Sequence, residues 1–123
     1  GVVFGFRHHV DVFAECGLAV TQVFAADGGA ASDLWLQIAA DALGRPVARI
    51  DRHPGSCLGA AFVAGMGLGV LKDWGEISRY VARGRVFTPD AANAAALDAK
   101  YALWRDTYRR LQSLYPALGR IPG

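Results

Sequence analysis

The chain has 123 residues, enough for one domain with a buried core. Of these, 53% are drawn from A, V, I, L, M, F, W, Y and C and 20% are charged, which excludes a disordered chain, since disorder needs low hydrophobicity and high net charge. The formal charge of +2 comes from 13 basic and 11 acidic side chains. Lys72 and Lys100 are the only lysines and the arginines are scattered, so the basic stripe with interleaved aromatics that marks a nucleic-acid binder is missing and no nucleic-acid partner is expected. Ala and Gly, 22 and 15 residues, fill 37 positions, and the charged share falls below the roughly 25% of an ordinary globular domain. Part of this surface is therefore expected to lie against further protein.

In chain order, Val3, Phe6, Val10 and Phe13 recur at spacings of three and four with Arg7, Asp11 and Glu15 between them, which predicts an amphipathic helix already under way at residue 1 and stopped at Gly17. Val20 to Ala26 is short, apolar and rich in β-branched residues, and reads as a buried strand feeding a tight turn at Asp27-Gly28-Gly29. A helix follows, capped by Ser32 or Asp33, with Trp35, Ile38, Ala39 and Ala42 on its inner face and Gly44 at its end. Val47 to Ile50 is a second strand. Strand, glycine turn, helix and strand predict a parallel pair joined by a crossover, so the fold class is α/β.

His53-Pro54-Gly55-Ser56 reads as a loop, and Cys57 to Leu71 is a run of fifteen residues without a charge. A membrane span needs about twenty apolar residues, so this run is expected to be a buried core helix, its small residues Gly55, Gly59, Ala61, Gly65 and Gly69 allowing close packing. Asp73 opens a short helix with Trp74, Ile77, Tyr80 and Val81 inward, and an edge strand is expected around Val86-Phe87. Thr88-Pro89-Asp90 caps a long helix to about Tyr115, with a seam of Leu97, Tyr101, Trp104, Tyr108, Leu111 and Tyr115. Pro116 is expected to close it, leaving a tail from Leu118 to Gly123.

Cys16 and Cys57 do not make a disulfide framework, which points to a reducing, cytoplasmic compartment. The first residues, Gly1-Val2-Val3-Phe4, carry no initiator Met and no signal-peptide pattern, and read as the middle of a longer chain.

The stretch that could carry chemistry is Asp27-Gly28-Gly29-Ala30-Ala31-Ser32-Asp33. Glycines between a strand end and a helix start permit unusual backbone angles, remove side chains that would block a ligand, and aim free N–H groups at an anion. The same pair also serves as a plain connection, and the stretch matches neither GxGxxG nor GxxxxGK[ST]. His8 and His9 are adjacent and so point to different parts of a helix surface, and His53 stands alone, so no metal site is expected. Cys57 has no activating base and reads as a small hydrophobe. Asp27, Asp33 and Asp51 stand at strand or helix ends, where α/β sites collect, and caps or solvated loop residues explain them as well. Arg105, Arg109 and Arg110 read as a solvated face near a helix C-terminus.

The order of these motifs is more informative than any one of them. Asp27-Gly28-Gly29-Ala30 with Ser32, Trp35, Gln37, Ala40-Asp41, Leu43-Gly44 and Pro46-Val47, followed by Leu58-Gly59-Ala60-Ala61 and Ala64-Gly65, resembles the C-terminal domain of the FGGY carbohydrate kinases over nearly the whole chain. The resemblance implies an actin-like, ribonuclease H-like lobe with a long C-terminal helix, residues 1–123 forming the C-terminal, nucleotide-binding part of the second domain. It implies ATP with Mg2+, a sugar or polyol whose hydroxyl receives the γ-phosphoryl group, and a xylulokinase-like activity. By the same resemblance Gly29, flanked by Gly28 and Ala30, meets the adenosine and phosphate side of the nucleotide, and Asp33 takes the polar position at the adenine end, where glycerol kinases usually carry Asn. No residue matches the family's general-base Asp, expected upstream of Gly1 with the sugar-binding domain, so no catalytic residue is assigned and the fragment alone is expected to be inactive. A homodimer is left open. The alternative is a non-catalytic actin-like module, binding nucleotide or assembling through the Leu97 to Tyr115 seam.

Overall fold

The computed structural model describes residues 1–51 and 55–121. Helix α1 spans Val2–Glu15 and ends at Cys16, with Gly17 at φ 78° turning the chain away. Strand β1 is Val23–Ala25, shorter than the seven residues expected. A single helical turn, α2, covers Asp27–Ala30, and α3 covers Asp33–Leu43. Strand β2 is Val47–Asp51 and α4 is Ser56–Gly67. A 3-10 helix, Trp74–Tyr80, leads into β3, Ala82–Phe87. Helix α5, Ala91–Leu111, is followed by a 3-10 turn, Gln112–Leu114, and a short α6, Tyr115–Leu118. The α/β expectation and the parallel pairing hold: β1 runs parallel to β2, with Val23 opposite Val47, and β3 adds an antiparallel edge, with Phe87 opposite Val47.

Helix α3 is the centre of the molecule, packed against α1, α5 and the sheet. Its start and stop follow from the residues named by sequence: the Ser32 side chain accepts from the Trp35 N–H at 3.2 Å, and Gly44 takes the left-handed conformation at φ 61° that a side chain resists. Its buried residues are Leu36, Ala39, Ala40, Asp41 and Ala42. Ile38, expected inside, is 37% exposed, because covering from three sides moves the buried surface onto the alanines, which let the neighbouring helices come close.

The inner face of α1 also differs from expectation. Val3 is buried, but Phe6 and Phe13 are about half exposed. The face that meets α3 and α5 includes Phe4, Arg7, His8 and Asp11: Arg7 donates to the Ala42 carbonyl at 3.1 Å and to Asp98 at 2.6 Å, and Tyr101 donates its phenolic proton to Asp11. Polar residues carry part of the buried side of this helix, so a search for apolar periodicity alone lands beside it. The upper seam of α5 is filled by the same helix, with Phe4 against Tyr101 and Trp104, and His8 edge-on to Trp104 and Tyr108.

Three expectations are corrected outright. Helix α4 is not a buried core helix of the described chain: only Phe62 is buried, while Val63, Leu68 and Val70 are 58%, 81% and 75% exposed. Lack of charge reveals what a helix tolerates around it, not what covers it. Trp74, Ile77 and Tyr80, expected inward, are 60%, 36% and 51% exposed, and the Trp74 and Tyr80 rings merely shelter Phe62 from 5.8 and 6.5 Å. Pro116 does not close α5, which ends at Leu111; it stands in the first turn of α6, where a missing N–H costs nothing. The Asp90 cap is as expected, accepting from the Asn93 N–H at 3.0 Å. His53 and Pro54, and the last two residues of the tail, lie outside the described residues. Among the described residues, no helix is long and apolar enough to cross a membrane.

Candidate functional site

The parallel strands β1 and β2 end on the same side of the sheet, beside the starts of α2 and α3, which is where open α/β sheets receive ligands. Asp27, Gly28, Gly29 and Asp33 all stand on this edge.

The strained residue here is Asp27. It holds φ 64°, a left-handed angle rare outside glycine. Its carboxylate lies over Gly55, the N-cap of α4: a Cβ at Gly55 would come within 2.8 Å of the Asp27 Oδ1, and Gly55 itself has φ 65°. The end of β1 and the start of α4 thus lie against each other, and Gly55 is required twice, for its angle and for its lack of a side chain.

Gly28 and Gly29 sit inside α2 and neither adopts a left-handed angle. The expectation that they supply unusual backbone geometry is therefore replaced: Asp27 does that. A Cβ at Gly28 would meet nothing within 4 Å, and one at Gly29 would rest at ordinary contact distance, 3.6 Å from Trp35 Nε1. The fold of the described residues needs no glycine at either place, although Gly in a helical turn costs up to about 1 kcal/mol relative to Ala. What the two glycines leave is an uncovered backbone turn at the edge formed by the strand ends. Ala30 differs from them, being 4% exposed and part of the core; only its backbone could face a ligand.

Asp33 begins α3 without capping it. Its two carboxylate oxygens are held separately: Arg49 Nη1 donates to Oδ1 at 2.6 Å and Arg85 Nη1 donates to Oδ2 at 2.8 Å. Arg49 also donates through Nε to Asp51 at 2.9 Å. The two arginines, with Gly84 on β3, were not among the expected site residues. A signal was there, since Arg49 falls in one expected strand and Arg83-Gly84-Arg85 leads into another. The arginines meet only because β3 pairs with β2, and that pairing is a long-range fact.

Asp41 was also missed. Only 3% exposed, it accepts from Gln37 Nε2 at 2.8 Å, the Asp90 N–H at 2.8 Å and Asn93 Nδ2 at 3.1 Å. Burial works to raise its pKa, but the hydrogen bonds from Asp90, Gln37 and Asn93 outweigh it and hold the carboxyl below its ordinary value. It ties the start of α5 to α3 and lies in the core, not at the site. Tyr101, buried against Asp11, has its pKa pushed up to about 12 by burial first and then by the Asp11 hydrogen bond and charge. Among the described residues no group of three or more His, Cys, Asp or Glu could hold a metal ion. Beside the glycine turn a hollow of about 390 Å3 opens between α1, β1 and α3, lined by Phe6, Val10, Phe24, Trp35 and Leu43 among others. Gly29 and Ala30 also line it, and among the described residues no charged side chain does.

The model of the FGGY family of carbohydrate kinases, C-terminal domain, matches residues 1–68. Xylulose kinase of Bacillus subtilis (strain 168) is 29% identical over 119 residues, covering 96% of this chain and 24% of the relative. Glycerol kinase 5 of Danio rerio is 35% identical over 106 residues, covering 86% of this chain and 19% of the relative. Among solved structures, xylulose kinase from Rhodospirillum rubrum matches at 38% identity and a TM-score of 0.75, over 93% of this chain and 23% of that one. Ligand-bound xylulose kinase from Lactobacillus acidophilus, at 21% identity, shares the fold with a TM-score of 0.80, over 96% of this chain and 24% of that one. The chain spans about a quarter of the length of these relatives, and its fold is the corresponding part of their actin-like, ribonuclease H-like lobe.

Proposed function

Because the chain belongs to the FGGY family of carbohydrate kinases, within its C-terminal domain, we propose that it is the nucleotide-binding portion of a cytoplasmic, xylulokinase-like enzyme that transfers the γ-phosphoryl group of ATP to a sugar or polyol hydroxyl. In this reading Gly28, Gly29 and the Ala30 backbone receive the adenosine and phosphate side of ATP, and Asp33 stands at the adenine end. The general base and most of the sugar pocket belong to the remainder of the enzyme. Asp27 is not assigned as the base; its carboxylate packs against Gly55 at the start of α4.

The observation that carries the reading is the glycine turn: two glycines that the fold does not require, uncovered, at the carboxyl edge of a parallel strand pair. Phosphoryl transfer is mostly positioning and charge stabilisation, and an open backbone turn can approach a nucleotide more closely than one bearing side chains. The Mg2+ that accompanies ATP is usually held by one or two carboxylates, water and the phosphates themselves. The described residues form no metal cage of their own.

The test is kinetic, on the full-length enzyme. Gly29→Val should raise the KM for ATP by about tenfold or more while the KM for the sugar stays within about twofold, the pattern of lost nucleotide binding. Gly29→Ala separates site from fold: its added methyl makes an ordinary contact with Trp35, so the melting temperature should hold or rise while the ATP requirement still increases. An ATP KM unchanged in both variants would refute the assignment.

A further inference from the structure

We propose that Arg85, seconded by Arg49, is a positioning and specificity residue for the purine base: the surface offered at the adenine end is a fixed Asp33–Arg85 pair, not a free carboxylate. The inference rests on the reading that Asp33 faces the base.

The geometry is built, not incidental. On β3, Val86 pairs with Ala48 and Arg83 with Ile50, so Gly84 and Arg85 together oppose Arg49. This is a β-bulge, which bends a strand and re-aims a side chain. A Cβ at Gly84 would collide with the Asp51 carboxylate where it stands, so a side chain there would displace the carboxylate that holds Arg49. In unbroken register Arg85 would stand squarely opposite Arg49, like charge against like charge. The bulge relieves that opposition, and Asp33 neutralises what remains of it.

Both guanidinium groups then ride on one ring. Arg85 Cζ lies 4.7 Å and Arg49 Cζ 6.0 Å from the centre of the Phe87 ring, and Phe87 is 2% exposed, so the platform is part of the core. From it the two arginines take the separate oxygens of Asp33, and Asp51 holds Arg49 from behind. Four charged side chains are thus held in a row, Asp51, Arg49, Asp33 and Arg85, running from the last residue of β2 to the bulge in β3.

The Asp33–Arg85 end of the row matches adenine in one pose. A carboxylate oxygen accepts from an exocyclic amino group, and a neighbouring guanidinium donates to a ring nitrogen or stacks on the base. With the amino group on Asp33 and N1 on Arg85, a 6-keto purine sets its O6 acceptor against the carboxylate and its N1–H donor against the guanidinium, so both members of the pair disfavour it. Removing Arg85 frees one carboxylate oxygen to swing and withdraws the donor, which loosens the hold on ATP and its preference over the 6-keto nucleotide.

The experiment uses the full-length enzyme with ATP and GTP as phosphoryl donors. In Arg85→Ala the KM for ATP should rise about fivefold and the ATP-over-GTP preference in kcat/KM should fall at least about threefold, with kcat for ATP and the sugar KM within about twofold. Arg85→Lys should recover most of the loss, since the contact to Asp33 is one donor on one oxygen. The melting temperature should stay within about 1 °C, because the Arg85 side chain is 62% exposed and such pairs add little stability. If Gly29→Val raises the ATP KM and Arg85→Ala leaves both the ATP KM and the preference unchanged, this inference alone fails. If neither variant moves the ATP KM, the nucleotide-site reading fails with it. A rise in KM that comes with a large fall in melting temperature and no rescue by lysine would make Arg85 merely structural and overturn the proposal.

Discussion

Asp41 shows how much one side chain can carry. Burial penalises its charge, yet three donors from two elements compensate and keep it ionised. Its folded pKa lies below the unfolded value, so its stabilisation is fully present above the ordinary carboxylate range and is lost as pH falls through and below that range. Asp41→Ala leaves Gln37, Asn93 and the Asp90 N–H short of an acceptor and should destabilise by about 2–3 kcal/mol at neutral pH. Urea denaturation from pH 7 to pH 3 checks this: the gap between Asp41→Ala and the unaltered protein should shrink toward the acid end, and a gap independent of pH would contradict the ionised state. At this scale the sequence is legible where the chemistry is local. Ser32, Gly44 and Asp90 were readable because a cap needs only neighbours three or four residues away. Asp27, Asp41 and Arg85 were not, since each acquires its role from a residue at least 28 positions distant in the chain, as Arg85 does from Asp33, 52 positions away.

Among elements, the order of helices and strands was readable and their inner faces were not. The expected sequence of helix, strand, glycine turn, helix, strand and late edge strand is the observed one. Helix α1 misled because Arg7 and Asp11 share its covered side with Val3 and Phe4. Helix α4 misled because an apolar run was equated with burial inside the chain. The α3–β2 junction gives a direct test of the local reading: Gly44→Ala forces a side chain into φ 61° and should cost about 1 kcal/mol, lowering the melting temperature by several degrees, whereas Gly28→Ala, with open space and a helical angle, should not lower it. Equal losses in the two variants would contradict this account of the glycines.

For the whole molecule, composition decides which surfaces pack and which stay open. High alanine and glycine serve two purposes here: close packing around α3, where Ala39, Ala40 and Ala42 are nearly inaccessible, and an uncovered turn at the strand ends. Few charges leave apolar side chains at the surface, on α4 and around Leu68 and Val70. The candidate site is likewise divided. Its glycine turn was legible from residue order and family resemblance, while the Asp51, Arg49, Asp33 and Arg85 row depends on a bulged strand pairing that no local pattern announces.

The most direct test of the central claim is ADP release with ATP and a panel of ketopentoses, gluconate and glycerol, measured for the full-length protein and for residues 1–123 alone. The account predicts sugar-dependent ADP release from the full-length protein with at least one of these acceptors, and none from residues 1–123. Turnover by residues 1–123 free of other kinases, or a full-length protein that binds ATP and phosphorylates none of the acceptors, would contradict it.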